Sequence, residues 1–225
     1  MKAHPPLCSF ANEAIMRALS LFALAPLARA SPTIATQHHL AVQAGGDVSV
    51  SYRLDTPTPS TCVFATPGSP PATTPPSAVR HYYNSSYFHH VDLSGLAPGA
   101  AYTYTCPGAA PRAFTAPPAP GATGWSFATL GDWGWLGSAE RGPSIPTGGL
   151  AQNWSAVPVR QLLGQLVASK AVSMVMHNGD VGYWDDSFGI DGDLLKFTQE
   201  AATDGWFQWI ENISQSVPYM VAAGK

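Results

Sequence analysis

Val172-Ser173-Met174-Val175-Met176-His177-Asn178-Gly179-Asp180-Val181-Gly182-Tyr183 begins as an apolar run and ends in a Gly-Asp turn. Residues 172–176 form a short run that is apolar except at Ser173, which reads as a buried strand. The same grammar occurs upstream, where the short, largely apolar strand candidate 125–130 runs into Gly131-Asp132-Trp133-Gly134. Between the two, Val157, Val159, Leu162, Leu163, Leu166 and Val167 recur largely at three and four, the period of an amphipathic helix. Residues 194–213 carry further helical material with Trp206, Trp209, Ile210 and Ile213 on one face, and residues 217–222 read as a third strand. Strand–helix–strand–helix–strand order predicts a parallel α/β sheet, in which sites form at the carboxyl ends of strands.

The preceding residues follow a different rule. Residues 48–54, Val-Ser-Val-Ser-Tyr-Arg-Leu, alternate with period two, as a half-buried strand does. Residues 62–65, 87–93, 101–106 and 112–115 are further strand candidates, separated by turn signals such as Leu96-Ala97-Pro98-Gly99. Short strands at this spacing predict a small all-β sandwich over residues 31–116. Residues 57–76 carry seven prolines and are expected to form a surface loop. Residues 117–124, Pro-Pro-Ala-Pro-Gly-Ala-Thr-Gly, read as a stiff linker that spaces the sandwich from the α/β region at 125–225.

Composition narrows the function classes. Only 11% of the 225 residues are charged, the formal charge is −3 and no long basic run occurs, which disfavours nucleic acid as a partner. Lys2 and Arg17 precede the apolar residues 18–27, and Ala28-Arg29-Ala30 follows them. This pattern predicts a signal peptide over residues 1–30 with cleavage after Ala30; a first amphipathic helix is the alternative. No later apolar stretch reaches membrane length, so no membrane association is expected after cleavage. Three sequons, at Asn84, Asn153 and Asn212, agree with a secretory route and an extracellular or lumenal location. In that oxidising compartment Cys62 and Cys106 are free to pair, the alternative being two buried thiols.

The chemistry concentrates at the strand ends. Asp132 and Asp180 emerge on the same edge of the predicted sheet. Two convergent carboxylates repel each other unless a proton or cation neutralises them, and a metal is the economical answer. Tyr183, three residues after Asp180, can return to the same place. A phenolate donor points to a trivalent hard cation such as Fe³⁺. Taken singly, a Gly-Asp pair is more often an ordinary strand-to-loop turn; two at successive strand ends with Tyr at +3 favour metal.

These motifs resemble those of the purple acid phosphatases, a branch of the metallophosphoesterases. Gly131-Asp132-Trp133-Gly134 is similar to the family's Gly-Asp-x-Gly, and Gly179-Asp180-Val181-Gly182-Tyr183 to its Gly-Asp-x-x-Tyr. Val217-Pro218-Tyr219-Met220-Val221-Ala222-Ala223-Gly224 looks like the lead-in to the Gly-Asn-His motif. His89-His90-Val91 with Leu93-Ser94-Gly95-Leu96-Ala97-Pro98-Gly99 resembles the fibronectin type III-like N-terminal domain of that family. The resemblance implies a sandwich followed by the first half of a metallophosphoesterase domain. It implies acid phosphatase activity on small phosphate monoesters at a dinuclear centre of Fe³⁺ and a second divalent metal (Zn, Mn or Fe). Asp132 would bind the ferric ion, Asp180 would bridge the metals and Tyr183 would give the purple colour.

The family's general-acid His and later His ligands have no counterpart after Gly224. The resemblance therefore assigns no catalytic residue within the chain. The expectation is a truncated metallophosphoesterase holding at most one weakly bound metal, with a non-catalytic secreted binding protein or pseudoenzyme as the alternative. A carbohydrate-binding role rests on aromatic content alone and ranks last. His177 is read either as packing behind the metal ligands or as a hydrogen-bonded structural His. Asp185 and Asp186 are read as solvated loop acids or as lining the pocket mouth, His38-His39 as a solvated pair, and His89 and His90 as strand residues that bind no metal. With the domain truncated, one sheet edge and much apolar face are expected to be uncovered, and Trp206, Phe207 and Trp209 to lack some packing partners.

Overall fold

The computed structural model describes residues 34–82, 86–134, 156–182, 199–222 and 224. Eight strands build the first layer pair: β1 (Thr36–Val42), β2 (Val48–Leu54), β3 (Val63–Ala65), β4 (Ala72–Thr73), β5 (Ala78–His81), β6 (Tyr87–Leu93), β7 (Ala101–Thr105) and β8 (Arg112–Thr115). They form two antiparallel sheets, ordered β1-β2-β6-β5 and β4-β3-β7-β8. The inward residues of β2 (Val48, Val50, Tyr52 and Leu54) pack with Leu40, Val91, Leu93, Tyr102, Tyr104 and Phe114 into one core. A disulfide joins Cys62 to Cys106, beside β3 and β7, within that core.

β2, β6 and β8 have the expected bounds, because their alternation matches the one-face burial of a sandwich strand. β1 and β5 were not foreseen. β1 contains two adjacent histidines and a bulge between Thr36 and His39, with Gln37 at φ +56°, so its alternation is broken. β5 begins one residue after Pro75-Pro76 and lies at a sheet edge, mostly exposed, where no apolar face is required. The short β4 pairs inside the proline-rich stretch, also at an edge, the position that proline-rich sequence tolerates.

Residues 117–124 lead into β9 (Ala128–Leu130) and the two-residue β10 (Trp133–Gly134). α1 (Ala156–Ala168), β11 (Val175–Asn178), β12 (Val181–Gly182), α2 (Gln199–Ser214) and β13 (Tyr219–Ala222) follow. β13, β11 and β9 form a three-stranded parallel sheet in that order, as the alternating pattern predicts. Leu163, Trp206, Trp209, Ile210 and Ile213 of the two helices pack on Val175 and Tyr219. No helix among the described residues is long and apolar enough to cross a membrane.

The expectation of a spaced pair of layers is corrected by the structure. α2 lies against β1, so the parallel layer docks directly on the sandwich. Gln37 Nε2 donates to Asp204 Oδ1 at 3.1 Å, Arg112 Nε to Gln215 Oε1 at 2.6 Å, and Ser214 Oγ to the His38 carbonyl at 2.7 Å. Tyr104 Oη donates to the Gln215 carbonyl at 3.0 Å, and Leu40 makes a parallel bridge to Pro218. The docking also covers β1, whose outer edge would otherwise offer unpaired backbone groups.

Two further expectations fail. His38 is fully buried, stacked near Tyr52, and His39 is half-buried with its ring against Phe207 and Tyr219. Trp206 and Trp209 do not lack partners: they are 0% and 5% exposed, and Trp133 lies against both. Phe207 packs on His39 and Phe88 of the sandwich. Apolar surface remains elsewhere, at Trp125, Phe127 and Val221.

Candidate metal-binding edge

β9 and β11 run parallel with Leu130 opposite His177. Each continues through a glycine and an aspartate into a second parallel pair, in which Trp133 lies opposite Val181 and Gly134 opposite Gly182. The residues preceding that pair are Asp132 and Asp180, so the register sets the two aspartates side by side at the carboxyl edge. Both have φ of +50°, a left-handed backbone that L-residues other than Asn and Asp rarely adopt. Asp132 is exposed and Asp180 half-buried.

The glycines explain how the turns fit. A side chain at Gly131 would place its Cβ 3.0 Å from the Asn178 carbonyl oxygen, so the two strand ends approach each other backbone to backbone there. Gly179 has φ +83° and donates its N–H to the His177 carbonyl at 3.2 Å, closing a tight turn directly before Asp180. Beyond β13, Gly224 sits so close to Asp180 that a Cβ would collide with the aspartate's backbone nitrogen and carboxylate. Segments following all three parallel strands therefore converge on this edge. The Gly224 approach is a contact that sequence reading missed, because no local pattern reports a neighbour 44 positions away.

Beneath the aspartates lies His177, fully buried. Its ring lies among those of Trp133, Trp206 and Tyr219 at centroid distances of 6.0–6.1 Å. Nδ1 is 2.8 Å from Tyr219 Oη, and burial keeps that phenol protonated by pushing its pKa up. Nε2 is buried with no hydrogen-bond partner among the described residues. Burial lowers the His177 pKa to about 4, against the opposing pull of the Asp132 and Asp180 carboxylates. Near neutral pH the ring is uncharged, so it does not supply the positive charge that two adjacent carboxylates call for. His177 is hydrogen-bonded, as its structural reading expects.

Two carboxylates on one edge are hard oxygen donors suited to a hard cation. Among the described residues, no group of three His, Cys, Asp or Glu side chains forms a metal cage. Tyr183, Asp185 and Asp186 lie outside the described residues, as do Ala30, Asn84 and Asn153. Asn212 is exposed on α2. His89 is buried in the sandwich, its Nδ1 2.8 Å from Ser77 Oγ and its Nε2 2.9 Å from the Thr56 carbonyl oxygen, and His90 Nδ1 is 2.7 Å from Ser51 Oγ. A scan against protein-family models returned no match, and a search of curated proteins returned none.

Proposed function

We propose that the chain is the N-terminal, metal-binding portion of a secreted hydrolase of small phosphate monoesters, similar to the purple acid phosphatases. On this reading residues 31–116 are the fibronectin type III-like module and residues 125–225 the first half of a metallophosphoesterase domain. The observation that carries it is the pairing of Trp133 with Val181, which brings the Gly-Asp ends of two neighbouring parallel strands into register. Asp132 and Asp180 would hold a hard cation, with Tyr183 as the third oxygen donor of the motif. A bound Fe³⁺, with a divalent partner where further ligands exist, would polarise phosphoryl oxygens. Gly131, Gly179 and Gly224 keep the edge open to backbone approach, and His177 supports it from below without adding charge.

The test is titration of the purified chain with Fe³⁺, followed by its visible absorption. Binding with a phenolate-to-iron band that vanishes in Tyr183→Phe and weakens in Asp180→Asn is expected. The reading fails if the chain takes up no more iron than the Asp132→Asn/Asp180→Asn double variant.

A further inference from the structure

Asn212-Ile213-Ser214 is an acceptor tripeptide in the last turn of α2, yet its two functional side chains have opposite environments. Asn212 is exposed and lines a groove of about 580 Å³ between the sandwich and the helices. Thr103 and Thr115 of β7 and β8 line that groove from the sandwich, and Gly164 and Lys170 line it from α1 and the residues after it. A methyl group at Gly164 would stand 3.5 Å from Asn212 Nδ2, so α1 lies within van der Waals reach of that amide. Ser214, by contrast, is 1% exposed, and its hydroxyl donates to the His38 carbonyl across the layer interface. Recognition of an acceptor tripeptide needs the Ser hydroxyl and the Asn amide presented together, which a docked helix prevents.

We propose that Asn212 carries an N-linked glycan, attached before α2 docks on the sandwich, whose first sugars then occupy this groove. In the transfer, Asn212 Nδ2 bonds to the anomeric carbon of an N-acetylglucosamine carried on a lipid-linked oligosaccharyl pyrophosphate. The C1–O bond breaks, the lipid pyrophosphate leaves with the electron pair, and the amide proton passes to a base of the transferase. The groove volume lies within the roughly 300–1,000 Å³ of small-molecule sites. Its exposed threonine hydroxyls suit the hydroxyls of a pyranose. The proposal is independent of the metal reading.

The experiment uses the full chain behind an added heterologous leader in a eukaryotic secretory cell, so that delivery is not the variable. Enzymatic deglycosylation in ¹⁸O-water should mark Asn212 in the secreted chain, and an unmarked Asn212 overturns the proposal. For the order of events, chain made while lipid-linked donor synthesis is blocked is chased after the donor is restored. The folded, retained chain should stay unmodified at Asn212 while newly made chain is modified; equal modification of both overturns the early attachment. For the position of the sugar, Lys170 should react with an amine acylating reagent several-fold more slowly in the glycosylated chain than in Asn212→Gln. Equal rates would place the glycan outside the groove.

Discussion

His38 Nδ1 lies 2.7 Å from Glu211 Oε1, and the same carboxylate oxygen accepts from Arg112 Nη2 at 3.0 Å. One oxygen of α2 thereby ties together β1 and β8, the edge strands of the two sandwich sheets. Burial alone would raise the Glu211 pKa, but the hydrogen bonds and charge of His38 and the nearby Arg112 outweigh it and hold it at about 2. Burial also lowers His38, against the pull of the Glu211 hydrogen bond, and lowers His39 to about 4.

These shifts share one sign. Each group binds fewer protons in the folded chain than in the unfolded one, so unfolding takes up protons in acid. Their stabilisation is complete above pH 6.5, declines first as the unfolded histidines titrate, and declines again below pH 4.5 as Glu211 loses its advantage. Melting temperature measured from pH 7.5 to pH 3 should fall throughout the acid range. Glu211→Gln should lower it at pH 7 and flatten the slope below pH 4.5. A melting temperature independent of pH between 6.5 and 4 would contradict the assignment.

Backbone strain at the aspartates makes a separate prediction. Asp132 and Asp180 hold φ at +50°, where glycine is at ease. Asp180→Gly should therefore stabilise the fold by about 0.5–1 kcal/mol while removing a carboxylate of the proposed metal site. Asp180→Ala removes the same carboxylate but keeps the strain, so it should not gain that increment. Comparing the two by denaturant unfolding separates relief of strain from relief of charge repulsion; identical stabilities would mean that the turn is unstrained.

Gly224→Ala should damage the same edge from the third strand. Its Cβ would collide with the Asp180 backbone and carboxylate, so one segment has to move. Gly121→Ala is the control, because it has a positive φ but open space around it. Iron affinity should drop roughly tenfold in Gly224→Ala, as for loss of a group supporting a ligand, and stay unchanged in Gly121→Ala. Equal affinities in both variants would remove Gly224 from the site.

The Cys62–Cys106 disulfide closes a loop with a sequence separation of 44 inside the sandwich core. Replacing both cysteines with Ala should cost about 2–4 kcal/mol. Trp206→Ala, in the parallel layer, should cost about 3–5 kcal/mol through the cavity it leaves. Urea unfolding of each variant checks both values. A disulfide variant within 1 kcal/mol of the parent would mean that packing alone holds β3 to β7.

Much of this architecture was legible because its signals are local. The period-two run at 48–54 became β2, and the three-and-four spacing of Val157 to Val167 became α1. The Gly-Asp strand ends marked both aspartates. β11 was placed three residues early, because Val172 and Met174 are as apolar as the strand residues and only pairing with Tyr219 and Ala128 distinguishes them. β1 was missed because His38 and His39 look polar in sequence and become core residues only once Glu211, Tyr52 and Phe207 surround them.

The amino-acid sequence by itself determined which faces must be buried, where the chain turns, and which two carboxylates end neighbouring strands. These follow from side-chain periodicity and from the backbone freedom of glycine, and both act within a few residues. Only the tertiary structure decided that α2 seats on the edge of the sandwich, that Trp133 aligns with Val181, and that Gly224 closes on Asp180. Each of those is a contact between surfaces far apart in the chain, and burying an apolar face satisfies the local pattern equally well whichever surface covers it.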